Sequence, residues 1–131
     1  MSGLVDTSVI VRYLTGDPPH LADRAAALLD REEDLEVTDV ALVEAAHVLT
    51  SVYGVPREVA VDSLTELLQK ENIRPRGLDR ATVLEGLLLC RPSGRVSFAD
   101  ALIWAAARSA GIGRIYTFDG RFPGAGVSLR N

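Results

Sequence analysis

The stretch Leu4-Val5-Asp6-Thr7-Ser8-Val9-Ile10-Val11 decides how this chain is read. A short apolar run ends in an acid, two hydroxyl residues follow, and a second apolar run begins at once. That order reads as a β-strand turning directly into a short helix, with Asp6 at the corner. The same handover recurs downstream. Leu35-Glu36-Val37 reads as a second strand, with Thr38 as N-cap of a helix to Tyr53 and Gly54 as its C-cap. Ile73 to Arg76 reads as a third strand, before a helix that Asp79 caps and that ends near Leu89. Ser97 opens a helix closed by Gly111, Ile115-Tyr116-Thr117 reads as a fourth strand, and Val127-Ser128-Leu129 as another. Short strands alternating with helices give an α/β domain with a largely parallel sheet. In such sheets, sites form at the carboxyl edge, where each strand hands over to its helix.

Two further helices fill the gaps. Gly16-Asp17-Pro18-Pro19 breaks the chain, and 20–32 then reads as a helix with Leu21, Ala25, Leu28 and Leu29 on one face. Pro56 sits at the first position of a helix over 56–70, with Val59, Leu64, Leu67 and Leu68 turned inward. No repeat, low-complexity stretch or linker interrupts residues 1–131, so they read as one domain.

Composition bounds the function. With 131 residues, 47% apolar and 24% charged, the chain is long enough for a real core and too apolar for intrinsic disorder. No apolar run reaches the ~18 residues of a membrane span, and Met-Ser-Gly-Leu-Val-Asp lacks the pattern of a signal peptide. The single cysteine, Cys90, excludes an internal disulfide framework and reads as a core thiol; with only two histidines beside it, the composition argues against a His/Cys zinc site. The expectation is a cytoplasmic domain. Fourteen basic against 18 acidic residues give a net charge of −4, which argues against holding nucleic acid by a basic surface alone. All basic residues but Lys70 are Arg, which suits forked phosphate contacts and equally suits a GC-rich genome.

Four acids lie at the junctions. Asp6 ends the first strand, Glu44 lies one turn into the second-strand helix, Asp100 opens the late helix, and Asp119 follows the fourth strand. Each has a structural reading: a helix cap for Asp6, a solvated helix position for Glu44, a capping box with Ser97 for Asp100, a turn with Gly120 for Asp119. Asp39 competes with Glu44, although the helix dipole explains an acid in the first turn. Asp100 is the exception. From Phe98 to Ala110 the only other polar residues are Arg108 and Ser109, and Asp100 shares a face with Trp104 and Ala107. The helix is apolar nearly all round and should be buried. A buried carboxylate costs several kcal/mol without a partner, and a capping bond offsets only ~1 of that. Asp100 therefore calls for a cation. If the four acids meet, two carboxylates 4 Å apart repel by ~4 kcal/mol at an effective dielectric of 20, so such a cluster needs neutralising. Hard oxygen donors with open positions suit Mg²⁺ or Mn²⁺, and such ions make an acidic cleft attractive to a polyanion. Metal-assisted phosphodiester hydrolysis follows from that chemistry.

These residues, in this order, resemble the PIN-domain ribonucleases, and within them the VapC toxins of bacterial and archaeal toxin–antitoxin pairs. The carrying motifs are Val5-Asp6-Thr7-Ser8, Glu44-Ala-Ala-His-Val-Leu49, Ser97-Phe-Ala-Asp100-Ala-Leu-Ile103 and Thr117-Phe-Asp119-Gly-Arg-Phe122. The resemblance covers essentially the whole chain. It implies a single PIN domain over 1–131, a three-layer α/β/α fold on a mostly parallel, roughly five-stranded central sheet. It implies a Mg²⁺- or Mn²⁺-dependent endoribonuclease with Asp6, Glu44, Asp100 and Asp119 as the acidic site. Asp6 and Asp100 would be the main metal ligands, Glu44 and Asp119 would bind directly or through water, and Thr7 and Thr117 would support them. The implied partners are a structured RNA such as tRNA or ribosomal RNA, a cognate VapB-type antitoxin that blocks the cleft, and a second copy in a homodimer. Gly120-Arg121 departs from many relatives, which carry Lys or another polar residue there; that bears on substrate contacts.

Other polar residues carry less. His47 could serve as a base, though a metal-activated water makes one unnecessary. Arg91 and Arg95, in the loop before Asp100, are candidate RNA contacts, and Arg12 could hold RNA or an antitoxin carboxylate. Three rival readings stand beside the toxin: a housekeeping PIN nuclease in RNA processing, a non-catalytic RNA- or protein-binding relative, and a haloacid-dehalogenase-type phosphatase. The last needs a second Asp two residues after the first, where this chain has Ser8.

Overall fold

A computed structural model describes residues 3–31 and 33–131. The start of the chain at Met1-Ser2 and the expected helix end at Glu32 lie outside the described residues. In chain order the elements are β1 (Gly3–Leu4), α1 (Thr7–Thr15), α2 (Pro19–Leu29), β2 (Leu35–Thr38), α3 (Asp39–Ser51), α4 (Arg57–Leu68), β3 (Ile73–Arg76), α5 (Arg80–Cys90), α6 (Phe98–Ser109), β4 (Arg114–Tyr116) and β5 (Ser128–Arg130). Every strand pairing among the described residues is parallel. No helix among the described residues is long and apolar enough to cross a membrane.

The helix starts follow from local chemistry. Asp6, Thr38, Asp79 and Ser97 sit in extended backbone, and each side chain accepts an N–H two or three residues on. Each supplies an acceptor that the first turn lacks, worth ~1 kcal/mol. Pro56 becomes the N-cap position of α4 rather than its first turn. Along α4 the buried residues are Ala60, Val61, Leu64, Leu67 and Leu68, while Val59 is exposed. Val59 lies about 140° round the helix from Leu64, too far to share its face. Val52, at the C-cap of α3, is exposed as well.

The five strands do not form one central sheet. They make a three-stranded sheet, β1-β2-β3, and a separate two-stranded sheet, β4-β5. Pro75 has no N–H to donate, so β3 suits an edge. The other edge, β1, offers only two residues, and its Leu4 is 68% exposed. The C-terminal strands pack on α6 instead. Ile115 and Phe122 close over Trp104, Ala105 and Ala107 in a small apolar cluster distinct from the main core. Trp104 Nε1 donates to the Ala125 carbonyl at 2.8 Å, and the Arg108 guanidinium lies 5.2 Å over the indole. A face with an aromatic anchor and a buried hydrogen bond outcompetes a two-residue strand edge.

Between α5 and α6 the approach is tight. A Cβ on Gly86 would lie 2.8 Å from Leu102 Cδ2 and 3.1 Å from the Ala101 carbonyl oxygen. Gly86→Ala should therefore destabilise the protein by about 1–3 kcal/mol, although Ala favours a helix more than Gly. Urea unfolding of the two proteins checks this. A neutral or stabilising effect would mean that the helices stand further apart.

Candidate active site

The same packing that carries β4 and β5 onto α6 sets the site. Asp100 lies on the face of α6 that holds Trp104 and Ala107, one turn and two turns further on. β4 therefore delivers the turn after it, and Asp119 in that turn, to the start of α6. The Asp119 carboxylate is near enough for its charge to act on Asp100. Partial burial first, and then the Asp119 charge, push Asp100 above its ordinary 3.8, while the Ser97 hydroxyl works the other way. The expected full burial of Asp100 is not found. It is half-buried, because α6 leaves Ala99 and Ile103 facing solvent.

Backbone geometry fixes both acids. The Asp100 N–H donates to Ser97 Oγ at 3.0 Å. The Asp119 N–H donates to Thr117 Oγ1 at 3.0 Å, and Asp119 Oδ1 accepts from the Arg121 N–H at 2.8 Å. The Thr117 N–H is tied to the Arg130 carbonyl at 2.8 Å, so the turn is held from β5.

Asp6 and Glu44 stand apart from this pair. Asp6, exposed at the start of α1, accepts the Ser8 hydroxyl at 2.7 Å and the Ser8 N–H at 3.2 Å. The hydroxyl bond first, and the backbone bond second, hold its carboxyl below 3.8. The capping reading of Asp6 is thus realised, with one carboxylate oxygen used. Glu44 is exposed on α3 and lines an apolar groove of about 610 Å³ shared with Asp39 and His47 of α3 and with Ala99, Leu102 and Ile103 of α6. Asp39 is turned toward the β3–α5 connection, where its carboxylate accepts the Leu78 N–H at 3.1 Å. Among the described residues no three His, Cys, Asp or Glu side chains come near enough to hold one ion. What the structure brings together is Asp100 with Asp119. Two carboxylates suffice for an ion such as Mg²⁺, which keeps several waters and takes the rest of its donors from substrate. The pair fits a divalent cation on that ground, because each charge raises the cost of the other until one is neutralised.

The model of the PIN-domain family matches residues 3–127. The chain belongs to the PIN-domain family. Among solved structures this PIN domain is similar to VapC20 of Mycobacterium tuberculosis, described as a Sarcin-Ricin loop cleaving toxin. The two share 25% identity over 97% of this chain and 96% of that one, with a TM-score of 0.45. No curated protein matches the sequence significantly.

The residues expected to support the site are placed unevenly. Thr7 is buried in the first turn of α1, and Thr117 is half-buried beneath Asp119. Arg91 is paired with Asp62 of α4 in a forked contact at 2.8 and 2.9 Å. Arg95 is exposed in the loop before α6. Arg12 is half-buried and donates to the Tyr53 hydroxyl at 3.2 Å. It lines a groove of about 600 Å³ between α1 and α2 together with Arg24 and Arg31. His47 is exposed, with its ring 3.4 Å from the Ser51 hydroxyl, which fits a surface role. Cys90 is buried, as its reading as a core thiol expects, and burial pushes its thiol up. Ser8 is the residue the sequence reading passed over. The signal was its place two after Asp6, the spacing at which a hydroxyl meets a capping carboxylate.

Proposed function

We propose that this PIN domain is a Mg²⁺- or Mn²⁺-dependent endoribonuclease that hydrolyses RNA phosphodiester bonds as the cytoplasmic toxin of a VapBC-type pair. The observation that carries the reading is the Asp100–Asp119 pair, two fixed carboxylates with the Asp100 carboxyl held high. Family membership supports it, as do the four motifs in VapC order.

Asp100 and Asp119 would hold the ion. A divalent cation there supplies Lewis acidity, polarising a phosphate oxygen and acidifying a water. The chain's own residues do the rest. Ser97 and Thr117 fix the two carboxylates through the backbone, so little reorganisation is needed when substrate arrives. Asp6 keeps a free oxygen and a depressed pKa, so it is ionised across the neutral range and ready to bind directly or through water. Glu44, exposed on α3 apart from the pair, would act only through water or on the bound RNA. RNA is the substrate, a VapB-type antitoxin the inhibitor, and a homodimer the working state.

The test uses purified protein, freed of any co-expressed partner, with total RNA and Mg²⁺ or Mn²⁺. Discrete fragments bearing 5′-phosphate and 3′-hydroxyl ends are expected, and EDTA should abolish them. Absence of cleavage together with absence of Mn²⁺ binding by calorimetry would overturn the reading. A small gene directly upstream encoding an antitoxin separates the toxin from a housekeeping PIN nuclease.

A further inference from the structure

Arg57 is the first residue of α4, remote in sequence from Asp100 and Asp119. Its guanidinium nevertheless spans the loop that leads to Asp100. Arg57 Nε donates to the carbonyl of Cys90, the last residue of α5, and Nη2 donates to the carbonyl of Val96, the residue before the α6 cap. Its Cζ lies 4.1 Å from the centroid of the Phe98 ring, and Phe98 is the buried first residue of α6. One planar fork thus grips both ends of residues 91–97 and stacks on the helix that follows.

At the start of that loop Arg91 also pairs with Asp62 of α4. Within it, the Arg95 N–H reaches Ser93 Oγ at 3.3 Å, and Gly94 adds backbone freedom. The Cys90 carbonyl is one of the last in α5, where no intrahelical donor remains and a cation meets the negative end of the dipole. Val96 is followed at once by Ser97, whose Oγ and carbonyl receive the N–H groups of Asp100 and Ala101, each at 3.0 Å. The chain of contacts runs from Arg57 through Val96 and Ser97 to Asp100. Lys could not reproduce it, since an ammonium is a point charge without the two fixed, parallel donors.

The geometry points to Arg57 as the positioning residue of the acidic site: it sets the start of α6, and with it the place of Asp100 against Asp119. The consequence for metal rests on the reading of that pair as a cation site; the ordering of α6 does not.

The experiment compares the full chain with Arg57→Met, Arg57→Lys and, as an equally destabilising control elsewhere, Leu29→Ala. Amide hydrogen exchange is read at Asp100 and Ala101 against Ile10 of α1, and Mn²⁺ affinity is read by calorimetry with the metal alone. In Arg57→Met, exchange at Asp100 and Ala101 should quicken about tenfold relative to Ile10. Mn²⁺ should bind about tenfold more weakly, the scale seen when an outer partner of a ligand is lost. Arg57→Lys should fall between, and it supplies the same readings if Arg57→Met does not fold. Leu29→Ala should lower the melting temperature with neither local change. Unaltered relative exchange overturns the inference. So does quickened exchange with unaltered Mn²⁺ affinity, which would leave Arg57 a structural clamp. A parent protein that binds no Mn²⁺ defeats the metal reading instead, and exchange alone then decides whether Arg57 orders the start of α6.

Discussion

Asp100→Asn should lose more than about 100-fold in RNA cleavage, beyond the loss that follows removal of even an outer partner of a metal ligand. It should do so while the metal-free protein melts at a higher temperature than the parent at neutral pH. The second half follows from the sign of the shift. The Asp100 carboxyl is raised in the folded state by partial burial and by Asp119. The folded protein therefore binds that proton more tightly than the unfolded chain. Relative stability is greatest below the unfolded value of 3.8 and is lost as pH rises through the folded value. At neutral pH the ionised pair strains the fold, and an amide removes the strain. At pH 3 the advantage of the variant should vanish. Acid should also release Mn²⁺ from the parent at a higher pH than an ordinary aspartate would, since proton and metal compete for one carboxylate. Calorimetry and melting curves across pH check both, and a destabilised Asp100→Asn at neutral pH would contradict the electrostatic account. Mutations that gain stability as they abolish activity mark a site kept under strain for its chemistry.

Trp104→Ala should be the other large effect, and a selective one. Trp104 is 5% exposed beneath the β4–β5 sheet, bonded to the Ala125 carbonyl at 2.8 Å. Deleting a buried Trp side chain costs about 3–5 kcal/mol. Here the loss falls on the small cluster with Ile115 and Phe122, apart from the main core built on Ile10, Leu42, Leu64 and Ile73. The expected result is loss of Mn²⁺ binding and cleavage with helical circular dichroism largely retained. Trp104→Phe keeps most of the packing and loses about 1 kcal/mol with the hydrogen bond, so it should stay active. If Trp104→Ala unfolds the whole chain, the two clusters are one cooperative unit.

Much of this was legible in local sequence. The caps at Asp6, Thr38, Asp79 and Ser97 need only the residue and its followers, and the structure uses all four. Asp100 stood out because a carboxylate on an otherwise apolar face has an energetic cost that is visible without coordinates. The division of the sheet was not legible. It depends on whether Ile115 and Phe122 gain more from the Trp104 face than a strand gains from the two-residue edge of β1, a competition between distant surfaces. Arg57 was opaque for a related reason. It reads as an ordinary helix start, and its partners are backbone carbonyls at Cys90 and Val96, which carry no side-chain signature. The pairing of Arg91 is not legible either, because Asp62, its partner, belongs to another helix.

The two unequal cores give the molecule two thresholds. Asp119 rides on the segment that the smaller cluster holds, whereas Asp100 stays with the larger one through α6. Segments with few buried apolar contacts open at lower free energy than the global fold. Mild denaturant would then part the acids while most helices persist, so inactivation precedes unfolding. Trp104, the only tryptophan in the chain, sits at that seam and makes its own fluorescence the reporter of the earlier event.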